Sequence, residues 1–166
     1  TFTSGPLYDA EIHSVDGHSF AQIKFDQVAV DNQQIIGVPD RAWDTVAPIL
    51  DRATLALAAE MLGGARELLE RTLAYLNDRE QFDVKIGSFQ ALQHRCAQLF
   101  CQLELAQSVV YKGLSAIDQG QQDVAKLASH AKVLAIDCYQ KMSNEAVQMH
   151  GGMGITDEVD IGLFLK

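Results

Sequence analysis

Basic residues are in short supply: 13 lysines and arginines stand against 22 aspartates and glutamates in 166 residues, a formal charge of −9. No cationic surplus exists to displace counterions from a nucleic-acid backbone. That excludes a general nucleic-acid binder, though not a phosphate-bearing small molecule held at one local site. Cysteine is scarce and odd in number. Cys96, Cys101 and Cys138 have no close paired spacing, so they read as buried free thiols of a reducing compartment rather than a disulfide framework or a zinc site. No run approaches the roughly 18 apolar residues of a membrane-spanning helix. The first residues also lack the basic-then-apolar pattern of a signal peptide. What is present is a globular balance, 48% apolar and 21% charged, long enough for one sizeable core. The chain starts on Thr1 and stops inside the apolar run IGLFLK, so it is expected to be a piece of a larger protein.

Two regimes divide the chain. In HSFAQIKFDQVAV, Ala21, Ile23 and Phe25 alternate with Phe20, Gln22 and Lys24, the period of two that predicts a half-buried strand. Asp16-Gly17 ahead of it reads as a hairpin turn from a strand around Leu7–His13. After Gly37 the period lengthens to three and four. A first helix is expected from about Trp43 to Asn77, its stripe running through Leu57, Met61, Leu68, Leu69, Leu73 and Leu76, with Pro48 starting it or kinking its first turns. Gly63-Gly64 inside that helix is tolerable where another helix passes close. DREQFDVKIGS reads as a linker. A second helix is expected from about Phe89 to Gln119 and a third from about Asp123 to Met149, stopped by Gly151. Helices this long, joined by short links, pack as an antiparallel bundle. Three of them leave a groove for a fourth, either later in the chain or from another subunit. The fold class is therefore mainly α, with a β remnant over 1–37 and a helical bundle over 38–166.

Two segments carry chemistry. QMHGGMGI packs glycines at 151, 152 and 154 just after Gln148. Such backbone approaches a ligand closely, and Gln148 offers amide hydrogens; a plain glycine-rich helix exit is the other reading. DREQF offers Arg79, whose fork suits a phosphate, and Phe82, a flat face for a ring; a surface arginine paired with Asp78 or Asp83 is its alternative. His13, His94, His130 and His150 show no metal-ligand spacing. Met142, Met149 and Met153 read as packing residues.

Taken together, these segments make the sequence resemble the C-terminal part of the acyl-CoA dehydrogenase family. The resemblance starts at VDGHSFAQIKFDQVAV in the family's central β-domain and continues through DRATLALAAEMLGGARELLERTLAYLNDREQF and IGSFQALQHRCAQL to AVQMHGGMGITDE. It implies FAD lying between the β-domain of one subunit and the helical domain of its mate. Carried over by motif, Arg79, Gln81, Phe82, Gln90, Gln148, Gly151 and Gly152 are the cofactor-binding residues. Two departures stand out: Asp83 where the family commonly has glycine, and His18 where it often has arginine. Asp83 near a pyrophosphate must point outward or pair with Arg79 or Lys85.

The activity implied is α,β-dehydrogenation of an acyl-CoA thioester to the trans-2-enoyl product, with electron-transferring flavoprotein as acceptor. A homodimer or a tetramer of dimers follows, possibly heteromeric, in the cytoplasm or another reducing compartment such as the mitochondrial matrix. Most members place their catalytic glutamate beyond the stretch present here. A minority place it in the first long helix before an arginine, which here is Asp51-Arg52. Asp51 is a candidate base one methylene short, and Arg52 a candidate near the substrate. The alternatives are a noncatalytic structural subunit of a heteromeric dehydrogenase, or a helical interaction module without cofactor.

Overall fold

The computed structural model describes residues 10–14, 17–25 and 27–165. They form two compact units, one reaching to Thr45 and the other spanning Val46–Leu165.

In the first unit, β1 (Ala10–His13) and β2 (Ser19–Gln22) pair antiparallel, from Ala10↔Gln22 to His13↔Ser19. The connection is closed by the Gly17 amide donating to the Ser14 carbonyl at 3.0 Å, with Gly17 at φ +82°. Leu7–Asp9 and Asp16 of the expected hairpin lie outside the described residues. The strand expected to run on past Phe25 stops at Gln22, and its apolar face is open: Ile23 is 53% and Phe25 71% exposed. The reason is pairing. An alternating pattern becomes a strand only where a neighbour satisfies its backbone; the described ladder ends at Ala10↔Gln22, and Gln27 then turns to φ +47°.

Helix α1 spans Ala42–Asp78, α2 spans Gln90–Asp118 and α3 spans Val124–His150. Their limits fall within a residue or two of those expected. Pro48 does not open α1; it sits inside the early turns, where its missing N–H leaves only one carbonyl without its helical donor. Direction follows from contacts. Leu55, early in α1, meets Gly113, late in α2; Cys96, early in α2, meets Met149, late in α3. The three helices therefore run alternately up and down.

The buried face of α1 is Leu55, Ala58, Leu62, Ala65, Leu69, Thr72 and Leu76, with Leu68 beside it. This is a strict three-four repeat. It corrects the expected stripe, because Leu57 and Leu73 are exposed at 49% and 39%. Alanine and threonine hold several of the inward positions, so the largest side chains do not mark the seam. Thr72 escapes the cost of burial by donating its hydroxyl to the Leu68 carbonyl at 2.7 Å. Small residues also set how near the helices come: a Cβ on Gly64 would lie 2.6 Å from the Tyr139 ring, and one on Gly113 would lie 2.4 Å from Leu55 Cδ2.

After α3 the chain folds back through two short 3-10 segments, Gly151–Ile155 and Asp160–Phe164. Ile161 enters the core, while Arg71 on α1 pairs with Asp160 at 3.4 Å and lies over the Phe164 ring. Cys96 and Cys138 are buried, and burial pushes both thiols up, away from the reactive thiolate. Cys101 is exposed, contrary to the expectation for it. No helix among the described residues is long and apolar enough to cross a membrane.

Candidate functional site

Where a linker was expected after α1, the chain makes a hairpin. Strand β3 (Glu80–Gln81) pairs with β4 (Val84–Lys85) in the register Glu80↔Lys85 and Gln81↔Val84. The two residues between them, Phe82 and Asp83, take φ +56° and +63°. Both central residues are left-handed, the signature of a type I′ turn. Asp83 is thereby accounted for. A position commonly glycine in similar sequences needs positive φ, and aspartate is among the few other residues that tolerate it. Lys85 does not pair with Asp83. Its ammonium bridges Glu80 at 2.9 Å and donates to the Asp78 carbonyl at 2.7 Å, capping the end of α1.

Phenylalanine in the left-handed region is strained, and Phe82 is also 86% exposed, touching Phe89 edge-on at 6.2 Å between ring centres. Strain and exposure in one aromatic residue are costs that folding alone does not require. Phe82→Asn should therefore raise stability by about 1 kcal/mol through relief of that strain, read as a higher denaturation midpoint. A lower midpoint would mean that the contact with Phe89 outweighs the strain.

The hairpin is drawn onto the end of α1. The Ile86 amide donates to the Arg79 carbonyl at 2.9 Å. Gly87 lies so near α1 that an added Cβ would sit 2.9 Å from the Leu76 carbonyl oxygen. Gln93 donates to the Gly87 carbonyl at 2.9 Å, and α2 begins at Gln90. Arg79, Gln81, Phe82 and Gln90 are thus gathered at one end of the bundle, all exposed. Among the described residues no hydrogen bond or ion pair engages the Arg79 side chain, so the expected alternative partners, Asp78 and Asp83, do not hold it.

The end of α3 arrives at the same place. Tyr75, one turn before Arg79, stacks on His150 with ring centres 4.2 Å apart and planes 24° apart, and its hydroxyl donates to the His150 carbonyl at 3.3 Å. Gly151 follows with φ +61° and ψ −137°, a conformation for glycine alone. Gly152 differs: its φ is ordinary and an added Cβ would meet nothing within 4 Å. Neither backbone nor packing within the chain calls for glycine there. Gln148 is exposed, with no partner for its side-chain amide among the described residues. An unheld guanidinium, spare amides, an exposed ring and bare backbone together suit a ligand that carries phosphates and a flat ring.

Asp51 and Arg52 are not part of this cluster. They line a cleft of about 270 Å³ with Pro48, Ile117 and Gln121, beside the α2–α3 turn. Asp51 and Asp78 are 27 residues apart on one helix, about 40 Å at 1.5 Å per residue. One small molecule cannot touch both ends. The sequence marks His150 only as a histidine without metal-ligand spacing, and it does not single out Tyr75. The available signal was Tyr75 lying one helical turn before Arg79.

The family model described as "Acyl-CoA dehydrogenase, C-terminal domain" matches residues 41–166. Among curated relatives, the acyl-CoA dehydrogenase IpdE2 of Mycolicibacterium smegmatis is 40% identical over 118 residues, 71% of this chain and 36% of that one. Among solved structures, a glutaryl-coenzyme A dehydrogenase with glutaryl-CoA is 27% identical with a TM-score of 0.90, covering 96% of this chain and 41% of that chain. The protein PigA with FAD and proline is 26% identical with a TM-score of 0.89, covering 96% and 42%. A steroid ACAD, Tcur3481-Tcur3483, is 26% identical with a TM-score of 0.79, covering 96% and 42%. The chain spans about two fifths of the length of the curated relatives it matches, 39% and 42% for the first two.

Proposed function

Because the chain belongs to the acyl-CoA dehydrogenase family, whose C-terminal-domain model covers residues 41–166, we propose that its bundle end completes an FAD site in an assembly that oxidises acyl-CoA thioesters to trans-2-enoyl-CoA. In this reading residues 1–37 close the preceding β-domain and residues 38–166 form the helical domain. The flavin is held mostly by a partner subunit, in a homodimer, a tetramer of dimers or a heteromeric equivalent. The observation that carries the reading is Arg79, whose side chain has no hydrogen bond or ion pair among the described residues, at the same end of the bundle as the unfilled backbone at Gly152.

Each residue has a physical task. Arg79 neutralises a pyrophosphate and fixes its direction by two parallel hydrogen bonds. Gly151 and Gly152 let main-chain amides approach the same anion. Gln81, Gln90 and Gln148 supply neutral donors and acceptors that set register, and Phe82 covers a ring face and excludes water. Bound FAD supplies the electron-accepting chemistry. Electron-transferring flavoprotein is the proposed acceptor.

Within this assembly the accessory role is favoured for the chain itself. Supporting it is Asp51, one methylene short at the position where a minority of members carry their base. A misplacement of about 1 Å costs on the order of a hundredfold in rate. A steroid ACAD named for two components also lies among the similar structures. The purified assembly is expected to be yellow and to release FAD on denaturation, with Asp51→Asn leaving turnover within twofold. Loss of turnover in that variant would instead make Asp51 the working base, with Arg52 beside it facing substrate. A colourless protein that cannot be reconstituted with FAD would leave only a helical interaction module.

A further inference from the structure

The two halves of the proposed cofactor site come from the ends of different helices, and among the described residues no hydrogen bond or ion pair links the Arg79 side chain to residues 148–152. Arg79 leaves α1 with no side-chain hydrogen bond or ion pair among the described residues, while Gly151 breaks α3 at a glycine-only conformation. Tyr75 and His150 join them by a ring stack and a hydrogen bond.

We propose that Tyr75 and His150 form a positioning pair that sets the spacing between Arg79 and the 148–152 backbone, and so the affinity for FAD. The inference rests on the FAD reading above.

The Tyr75 carbonyl accepts from the Arg79 amide at 2.8 Å, so the tyrosine backbone defines where the arginine leaves the helix. On the other side, His150 Nδ1 lies 2.7 Å from the Ala146 carbonyl. A carbonyl can only accept, so Nδ1 carries the proton, and that bond locks the ring against the last turn of α3. The locked ring is 5% exposed as a residue and stacks on Tyr75 at 4.2 Å. The Tyr75 hydroxyl then reaches the carbonyl that immediately precedes Gly151. Every contact in the chain Arg79–Tyr75–His150–Gly151 is directional.

Packing alone does not ask for this. The pair sits beside Leu76 and Met149, both core residues, where two apolar side chains would fill space without the cost of burying polar atoms. Directional contacts hold a separation in a way that apolar contacts do not. Neither residue touches the cofactor in this account; both act through Arg79 and the glycine backbone.

The test is FAD affinity, followed by quenching of flavin fluorescence on titration of the apo assembly. Tyr75→Leu is expected to raise the Kd at least tenfold. Tyr75→Phe, which keeps the stack and loses only the 3.3 Å hydroxyl contact, is expected to stay within about threefold of the unaltered protein. In an Arg79→Ala background, Tyr75→Leu is expected to add less than threefold, because its effect runs largely through Arg79. The same fold-loss in both backgrounds, or a Tyr75→Leu protein that binds FAD like the original, overturns the proposal. If Tyr75→Leu fails to fold, His150→Leu makes the same comparison from the other side of the stack. An unaltered assembly that takes no FAD at all sinks the functional reading itself, a result distinct from either of these.

Discussion

Arg79→Ala is expected to weaken FAD binding by about one to two orders of magnitude while leaving the unfolding curve of the apoprotein where it was. Hydrogen bonds to charged groups contribute about 1.5–3 kcal/mol, and every 1.4 kcal/mol is about tenfold in affinity. The folding half of the prediction comes from the structure: the side chain is exposed, with no hydrogen bond or ion pair among the described residues, so its removal costs the chain no contact of that kind. Arg79→Lys should fall between, keeping a charge but losing the two-pronged geometry. Titration of the apo assembly with FAD measures the first effect and urea denaturation the second. Unchanged affinity would remove the one cation on which the proposed site depends.

Leu55→Ala is expected to destabilise the bundle by about 2–5 kcal/mol, since the side chain is fully buried and the surrounding helices can collapse only partly. The more telling result is a reversal of sign at its partner. Gly113→Ala alone places a methyl 2.4 Å from Leu55 Cδ2, and overpacking of that kind costs about 1–3 kcal/mol. In the Leu55→Ala protein the same methyl enters the vacated space, and alanine improves on glycine in a helix by about 1 kcal/mol. Gly113→Ala should then stabilise. Additive behaviour, measured by denaturant midpoints of the four proteins, would mean that these two positions do not meet.

Much of the bundle is legible in the sequence alone. Gly151 marks the end of α3 by local chemistry, and the three-four spacing along α2 puts Cys96, Leu99, Leu103, Ala106 and Val110 in the core, continued by Gly113 and Ala116. On α1 the same method chose Leu57 and Leu73. It weighs side chains by size, whereas burial follows the angle around the helix, and Ala58, Ala65 and Thr72 occupy inward positions that size conceals. The hairpin at 80–85 was missed for another reason. Its turn carries Phe82-Asp83 in place of an asparagine-glycine or aspartate-glycine pair, so the usual signal of a type I′ turn was absent.

The candidate site divides in the same way. Residue chemistry alone marked Arg79, Phe82, Gln148 and the glycines as suited to phosphates and a ring, because a guanidinium fork and bare amides have those properties in any fold. Sequence likewise determined three long helices and their order, since capping and periodicity act over only a few residues. Only the tertiary structure decided that the exits of α1 and α3 meet through Tyr75 and His150, and that Asp51 faces a different cleft about 40 Å from them. Those facts depend on which helix runs up and which runs down, and on contacts between residues as far apart as 75 and 150. Patterns confined to neighbouring positions along the chain carry no record of either.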